Sequence, residues 1–233
     1  KKIFSSVFGM YGVRMMGGTP YLFVGGIPLE EDKYASIKEY TFKGGNPQLF
    51  RVNLKNMAAK RIDDDGLIRG RRSWLVGENG TIAAKLDLDR SSGDFEIKNA
   101  SGETLLSGNR PDGRIALAGL THDGQSLIYW ILDEEQDSTV YMEVPLAGGA
   151  ARDLETEAAI GRIFWDRRSA RMLGYLKRNS EPNDPNRRVF YDPPIIRTPY
   201  IPNTLEKIFF CLANTVCAGV PSVESTNSLR NSA

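Results

Sequence analysis

The sequence has 233 residues, of which 41% are hydrophobic and 25% are charged, as is typical of a globular chain with a buried core. Its 30 Lys and Arg residues nearly balance its 29 Asp and Glu residues, so the net charge of +1 does not indicate a nucleic acid or an anionic membrane as partner. Two cysteines do not make a disulfide scaffold, and no run of 18 apolar residues predicts a membrane-spanning helix.

The beginning of the chain gives no targeting signal. It starts with Lys1 rather than Met, which suggests a trimmed or partial chain. Residues 3–13 lack a clean apolar core followed by a small-residue cleavage site, so we expect no signal peptide there. The sequence therefore predicts no compartment.

Short apolar or alternating runs, separated by turn residues, extend from about Tyr21 to Tyr191. The pattern predicts a strand over 49–54 and hairpins over 81–98, 114–132 and 162–176. Asp123-Gly124 joins two apolar runs, which is a strong hairpin signal because Gly adopts φ > 0 without steric cost. Strands recur every 8 to 12 residues or so without a helical period between them, and this spacing favours an all-β fold.

A weak internal repeat supports a β-propeller. The segment 49–61 resembles the segment 140–152, and their valines Val52 and Val144 lie 144 − 52 = 92 residues apart. Four-stranded propeller blades repeat at roughly 40–50 residues, so this separation fits two blades. A β-sandwich is the alternative architecture.

The composition changes near Asp192. Six of the 12 prolines lie between Pro182 and Pro202, and charged residues become sparse after that region. We expect one domain over 1–192 and a separate tail over 193–233. The tail is predicted to contain a Pro-rich linker, a short helix over 204–220 and a disordered end.

Residue types that carry chemistry are few. The sequence has no G-x-S-x-G, no phosphate-binding loop and no dinucleotide motif, and its single histidine, His122, lies in a predicted turn. Cys211 and Cys217 are not clustered with other zinc ligands. The loop from Asp63 fails the calcium pattern because its twelfth position is Trp74, so its carboxylates are interpreted as solvated turn residues. We therefore assign no catalytic, cofactor-binding or metal-binding residue and no cofactor.

Two groups of residues have alternative interpretations. Arg61, Arg69, Arg71 and Arg72 are predicted to form a charged loop facing solvent; the alternative is a site for the carboxylate of a peptide. The aromatic residues in or beside strands are expected to pack between sheets, with a peptide-binding cage as the alternative. They include Trp74, Trp130, Trp165, Phe50, Tyr129, Tyr141 and Phe164.

Four segments are distinctive: Tyr21–Glu30, Asn46–Leu54, Pro145–Ala151 and Leu173–Leu176. Together they resemble the N-terminal β-propeller region of bacterial peptidases of the prolyl oligopeptidase family, and the resemblance covers about residues 3–192. It implies a propeller of about seven or eight blades that caps an α/β-hydrolase domain with a Ser-Asp-His triad. In such an enzyme the propeller admits short peptides and excludes folded proteins.

The sequence departs from that family after Tyr191-Asp192, where residues 193–233 resemble nothing in it, and no catalytic residue can be carried over. We expect an all-β fold, a partial β-propeller of about four blades with a short irregular or helical C-terminal tail. The chain would be a truncated serine peptidase, inactive alone. Its expected partners are the missing α/β-hydrolase domain, short peptides, and other copies bound through open propeller edges.

The alternative function is a stand-alone propeller or sandwich module that binds a peptide or protein. An independent carboxylate-pair hydrolase is the third hypothesis.

Overall fold

The computed structural model describes residues 3–31, 40–42, 47–63, 70–133, 135, 138–154, 156 and 158–191. Their strands form four antiparallel sheets that follow one another along the chain. The first sheet has the order β1-β2-β4-β5, with β3 paired to β2. Its strands are β1 (Ile3–Met16), β2 (Thr19–Glu31), β3 (Tyr40–Phe42), β4 (Gln48–Asn53) and β5 (Ala59–Asp63).

The next two sheets have four strands each, paired in sequence order. The second contains β6 (Gly70–Val76), β7 (Ile82–Asp89), β8 (Asp94–Asn99) and β9 (Thr104–Asn109). The third contains β10 (Ile115–Leu120), β11 (Ser126–Asp133), β12 (Ser138–Pro145) and β13 (Arg152–Asp153). The fourth contains β14 (Ile160–Trp165), β15 (Met172–Lys177) and β16 (Arg188–Phe190), with a 3-10 turn at Pro185–Arg187 before β16.

Turn chemistry explains where these strands reverse. Gly17 and Gly18, with φ values of 55° and 72°, connect β1 to β2, which is the conformation that a two-residue hairpin loop requires. Gly93 and Gly124 also have positive φ, at the turns predicted between β7 and β8 and between β10 and β11. The hairpins predicted over 81–98, 114–132 and 162–176 are confirmed.

Hydrophobic clusters lie between consecutive sheets. Phe23 and Leu49 of the first sheet pack with Trp74 and Val76 of the second. A larger cluster joins the second and third sheets; it includes Leu86, Ile97, Leu105, Ile115, Leu127 and Val144. Ile128 of the third sheet packs with residues of the fourth: Ile160, Ile163, Met172 and Tyr175. Each sheet therefore buries its apolar side chains against its neighbour in sequence, as propeller blades do.

The first strands of the first three sheets, β1, β6 and β10, lie side by side. This arrangement makes them the inner strands of successive blades. The described chain is therefore an all-β, partial β-propeller of four blades, as the sequence predicted. Val52 and Val144 lie in the third strands of blades one and three, so the 92-residue repeat does span two blades.

The long strand β1 was not predicted, and the tail over 193–233 falls outside the described residues. Within the part of the chain that is described, no helix is long and apolar enough to cross a membrane.

Candidate ligand-binding site at the inner strands

A cavity of about 310 Å³ lies where the inner strands of the first three blades meet. Its lining comes from β1, β6, β10 and the turn that joins β14 to β15. The polar and aromatic lining residues are Tyr11, Arg14, Arg71, Ser73 and Trp74. The volume is at the lower end of the range of small-molecule sites, so the cavity has room for one or two residues of a peptide.

Arg14 of β1 is the most deeply placed cation of this cavity, with only 3% of its surface exposed. Its Nη2 donates to the carbonyl oxygen of Val76 at 2.6 Å and its Nε to that of Gly77 at 2.9 Å. Its Nη1 donates to the carbonyl oxygen of Arg167 at 2.9 Å. One guanidinium thus links the first blade to the second blade and to the β14–β15 turn.

All hydrogen bonds of Arg14 go to carbonyl oxygens, which carry no net charge. Burial lowers the pKa of Arg14, while the charges of Asp166 and Glu78 act in the opposite direction. The side chain still titrates far above neutral pH, because an arginine is protonated under all ordinary conditions. Arg14 therefore supplies a fixed positive charge at the cavity wall.

Arg71 enters the same cavity from β6. Its Nη2 donates to the carbonyl oxygen of Ile115 at 2.6 Å, which ties the second blade to the third. Arg72, the next residue, points to the other face of β6, where Nε and Nη2 contact the two carboxylate oxygens of Asp87 at 2.5 Å and 2.7 Å. The prediction that these arginines form a loop facing solvent is therefore wrong for both.

The other two arginines of that predicted cluster do not join this cavity. Arg61 lies exposed on β5, and Arg69 falls outside the described residues. Alternation along β6 separates Arg71 from Arg72, because successive side chains of a strand point to opposite faces. The sequence cluster thus contributes one residue to the site, and Arg14 contributes the second cation from a distant part of the chain.

Tyr11 and Trp74 form the aromatic wall. Their ring centroids are 5.4 Å apart at an interplanar angle of 85°, an edge-to-face contact. Burial raises the pKa of Tyr11 to about 12, and a backbone hydrogen bond from Trp74 partly offsets that effect. The Tyr11 hydroxyl is therefore neutral at physiological pH and can donate a hydrogen bond.

A buried polar contact holds Trp74 in place. Its indole Nε1 donates to Asp63 at the end of β5, and the same carboxylate lies 3.7 Å from the Lys85 ammonium of β7. Asp63 is only 8% exposed, so the interpretation of this residue as a solvated turn carboxylate is wrong. Asp63 instead fixes the orientation of the aromatic wall across the first and second blades.

The β14–β15 turn reaches the cavity through a strained residue. Ala170 lines the cavity and has φ = 60°, a left-handed conformation that a residue with a Cβ adopts only at a cost of about 1–2 kcal/mol. Its carbonyl oxygen accepts a hydrogen bond from the Leu120 N–H at 2.9 Å, which anchors the turn to the end of β10. Met57 and Asn179 have a similar φ at turns outside the cavity, and the Ala170 N–H donates to the Asp166 carbonyl oxygen at 2.8 Å, so this conformation closes the β14–β15 turn.

The remaining residues singled out from the sequence lie elsewhere. His122 lies in the predicted turn and is half-buried; its ring stacks on Tyr191 at 5.2 Å, and its Nδ1 lies 3.3 Å from the Met172 carbonyl oxygen. Cys211 and Cys217 fall outside the described residues. Over the ranges that the structure describes, no group of three or more His, Cys, Asp or Glu residues could hold a metal ion.

Sequence reasoning missed Tyr11, Arg14 and Ser73. The one available signal was Gly17-Gly18, which predicts a turn between two apolar runs and hence a strand before it. Nothing in the sequence pairs Arg14 with Arg71, because only the packing of blades brings β1 beside β6.

Comparisons with protein-family models, with curated proteins and with solved structures find no match to this chain.

Proposed function

We propose that this chain is the propeller module of a serine peptidase of the prolyl oligopeptidase type, and that it binds peptides without cleaving them. The observation that carries the proposal is the cavity at β1, β6 and β10, whose wall combines two arginines with a tyrosine and a tryptophan. Guanidinium groups bind carboxylates and carbonyl oxygens of peptides, and aromatic rings pack against their side chains.

The positions of the resembling segments support the peptidase part of the proposal. Tyr21–Glu30 coincides with β2, and Asn46–Leu54 contains β4, so both build the first blade. Leu173–Leu176 lies in β15 of the fourth blade. The resemblance therefore falls on elements that form the propeller and is spread over its described length.

The proposal assigns the reaction to a partner α/β-hydrolase domain. Hydrolysis by a Ser-Asp-His triad needs a histidine that is positioned beside a serine nucleophile. His122 instead lies in the β10–β11 turn against Tyr191 and the Met172 carbonyl, away from the residues that line the cavity. The role left to this chain is to select which peptides reach the partner's serine.

Mixing experiments test this function. The full chain is combined with the separately expressed hydrolase domain of a prolyl oligopeptidase-type enzyme and analysed by size-exclusion chromatography with light scattering. We expect a one-to-one complex that cleaves a chromogenic tripeptide but not denatured casein, while the chain alone cleaves neither. Absence of a complex, or cleavage of the tripeptide by the chain alone, would contradict the proposal.

The cavity also favours a second candidate, a stand-alone module that binds a peptide or a protein partner. Calorimetry with short peptides in the absence of any hydrolase domain separates the two. Peptide binding without complex formation supports the stand-alone module, whereas complex formation supports the peptidase module.

A further inference from the structure

We propose that the cavity at the inner strands recognises the free C-terminal carboxylate of a short peptide through Arg71, with Arg14 supplying a second, fixed positive charge. The inference rests on the proposed function in taking the ligand to be a peptide, and it adds which end of the peptide is bound. Both arginines line the cavity, one from β1 and the other from β6.

The first argument is electrostatic. Within the described residues, neither Arg14 nor Arg71 forms an ion pair, and the hydrogen bonds of both go to carbonyl oxygens. The other strongly buried cation of this strand, Arg72, has the carboxylate of Asp87 beside it. Asp166 and Glu78 are close enough to act on Arg14, so Arg71 is the cation of this cavity that an anionic ligand would pair with, and the attraction is stronger in a partly buried site than in water.

The second argument concerns donor geometry. Arg71 contacts the carbonyl oxygens of Gly113 and Ile115 through Nη2, so its Nε and Nη1 hydrogens remain for a ligand. Ser73 lies two residues further along β6, on the same face, and also lines the cavity. Each two-donor edge of a guanidinium includes Nη2, which is occupied here, so Arg71 offers a carboxylate single charge-assisted hydrogen bonds from Nη1 or Nε, and the nearby Ser73 hydroxyl supplies a further one.

The third argument is the shape of the remaining wall. Ala116, Ala118, Ala170 and Leu117 line the cavity with apolar groups, whereas Trp74 is only 2% exposed and contributes almost no surface of its own. Three small side chains leave open space beside the cations, and a cavity of about 310 Å³ holds a compact group. The ligand that complements this cavity has a carboxylate attached to a small apolar group. The C-terminus of a peptide with an apolar last residue has this chemistry.

Isothermal calorimetry on the full chain tests the inference with N-acetyl-Ala-Leu and with the same dipeptide as its C-terminal amide. We expect the acid to bind at least about tenfold more tightly than the amide, a difference of about 1.4 kcal/mol, because only the acid accepts charge-assisted hydrogen bonds. The Arg71→Gln variant should abolish the difference. Arg71→Lys keeps the charge but cannot donate to the Ile115 carbonyl oxygen and to the ligand from fixed positions, so it should retain only part of the difference.

The matched control is Arg90→Gln, which removes the same charge from an exposed turn residue between β7 and β8. It should bind both probes as the wild type does. Circular dichroism checks that each variant is folded, since Arg71→Gln also removes the hydrogen bond to Ile115. If Arg71→Gln does not fold, Arg71→Lys and Ser73→Ala take its place as the test of carboxylate recognition. Both variants must then weaken binding of the acid more than binding of the amide.

Three outcomes would overturn the inference. Equal affinity for acid and amide would show peptide binding without carboxylate recognition and would leave the proposed function standing. Competition by inorganic phosphate at the same concentration as the acid would indicate a general anion site. If neither probe binds the wild type, the cavity is not a peptide-carboxylate site. The proposed function would then be tested separately by complex formation with the hydrolase domain.

Discussion

The Arg14 guanidinium occupies the space beside Gly12 in β1, where any other residue would place its Cβ. Gly12 has φ = 96°, and a Cβ built on it would overlap Nη1 of Arg14. A side chain at position 12 would therefore carry two penalties, backbone strain and displacement of the guanidinium from its carbonyl partners.

Gly12→Ala should lower the free energy of unfolding by about 2–3 kcal/mol, measured by urea denaturation. The control is Gly17→Ala, because Gly17 has φ = 55° but no atom lies within 4 Å of a Cβ built there. The free energy of unfolding of that variant should fall only by the cost of backbone strain, about 1 kcal/mol. Equal losses in the two variants would show that contact with Arg14 is not part of the cost.

The buried hydroxyl of Tyr11 makes the free energy of unfolding fall as the pH becomes alkaline. Its pKa is raised from 10.0 to about 12 in the folded chain, so between these values the unfolded chain releases a proton that the folded chain keeps. The part of the free energy of unfolding that is linked to this proton is fully present below pH 10. It is lost as the pH rises towards 12, by about 2–3 kcal/mol in total.

Chemical denaturation at pH 8, 10 and 11.5 measures this loss, and Tyr11→Phe should make it smaller. Burial also raises the pKa values of Tyr129 and Tyr141, so the comparison uses the difference between wild type and variant. Parallel stability curves for the two proteins over this range would contradict the assignment to Tyr11.

At the scale of elements, the contacts between blades are unequal. The cluster that joins the second and third blades is the largest, and Leu127 at its centre is fully buried. Leu173 of β15 is 42% exposed and offers a matched comparison.

Leu127→Ala should lower the free energy of unfolding by about 3 kcal/mol or more, since it removes buried methyl groups and leaves a cavity. Leu173→Ala should cost less than about 1 kcal/mol. Thermal or urea denaturation of both variants checks the difference, and a small loss for Leu127→Ala would mean that this interface repacks or contributes little.

In the fourth blade, Gly174 lies between the stacked phenylalanines Phe164 and Phe190. Phe164, Gly174 and Phe190 lie in register across β14, β15 and β16, and the two phenylalanine rings stack at 5.3 Å. A Cβ at Gly174 would overlap the backbone carbonyl oxygen of Val189 and would also crowd Phe190, so the glycine allows the close approach of β15 and β16 on which the stacked rings sit. Among the predicted aromatics, Tyr129, Tyr141, Trp74 and Trp165 do pack between blades, whereas Phe164 belongs to this outer pair.

The elements that were predictable are those with local signals. The hairpins over 81–98 and 114–132 were predicted because their turns need glycine at positive φ, which is visible in the sequence. Strand β1 was missed because Gly9 and Gly12 and three register shifts along its pairing with β2 interrupt the alternation that marks a strand. The cavity was not predictable, since it exists only where three blades meet.

For the whole molecule, the exposed apolar side chains of β1 are the main feature. Val7, Phe8, Met10 and Met15 are each more than half exposed, and β1 is the terminal strand of its sheet. We propose that a second copy of the chain covers the stretch from Val7 to Met10, which precedes the cavity residues Tyr11 and Arg14 along β1, because edge strands with exposed apolar residues favour self-association.

Sedimentation velocity should show a coefficient that rises with the concentration of the wild-type chain. The double variant Phe8→Glu, Met10→Glu should sediment as a monomer at the same concentrations. Met57→Glu adds a charge at an equally exposed residue in the β4–β5 turn and should behave as the wild type does. A wild-type chain that stays monomeric and melts cooperatively would contradict self-association.

The hydrogen bond between Arg14 and the Arg167 carbonyl joins residues 153 positions apart. Each blade is assembled from consecutive strands, so blades can form one by one as the chain leaves the ribosome, whereas this bond must wait. At synthesis rates of roughly 5–20 residues per second the wait lasts about 8–30 s, during which the Arg14 guanidinium lacks one of its acceptors. The bonds of Arg14 to Val76 and Gly77 can form once the second blade is made, so the contact with Arg167 is the one bond of this guanidinium that is completed only after the fourth blade has begun to emerge.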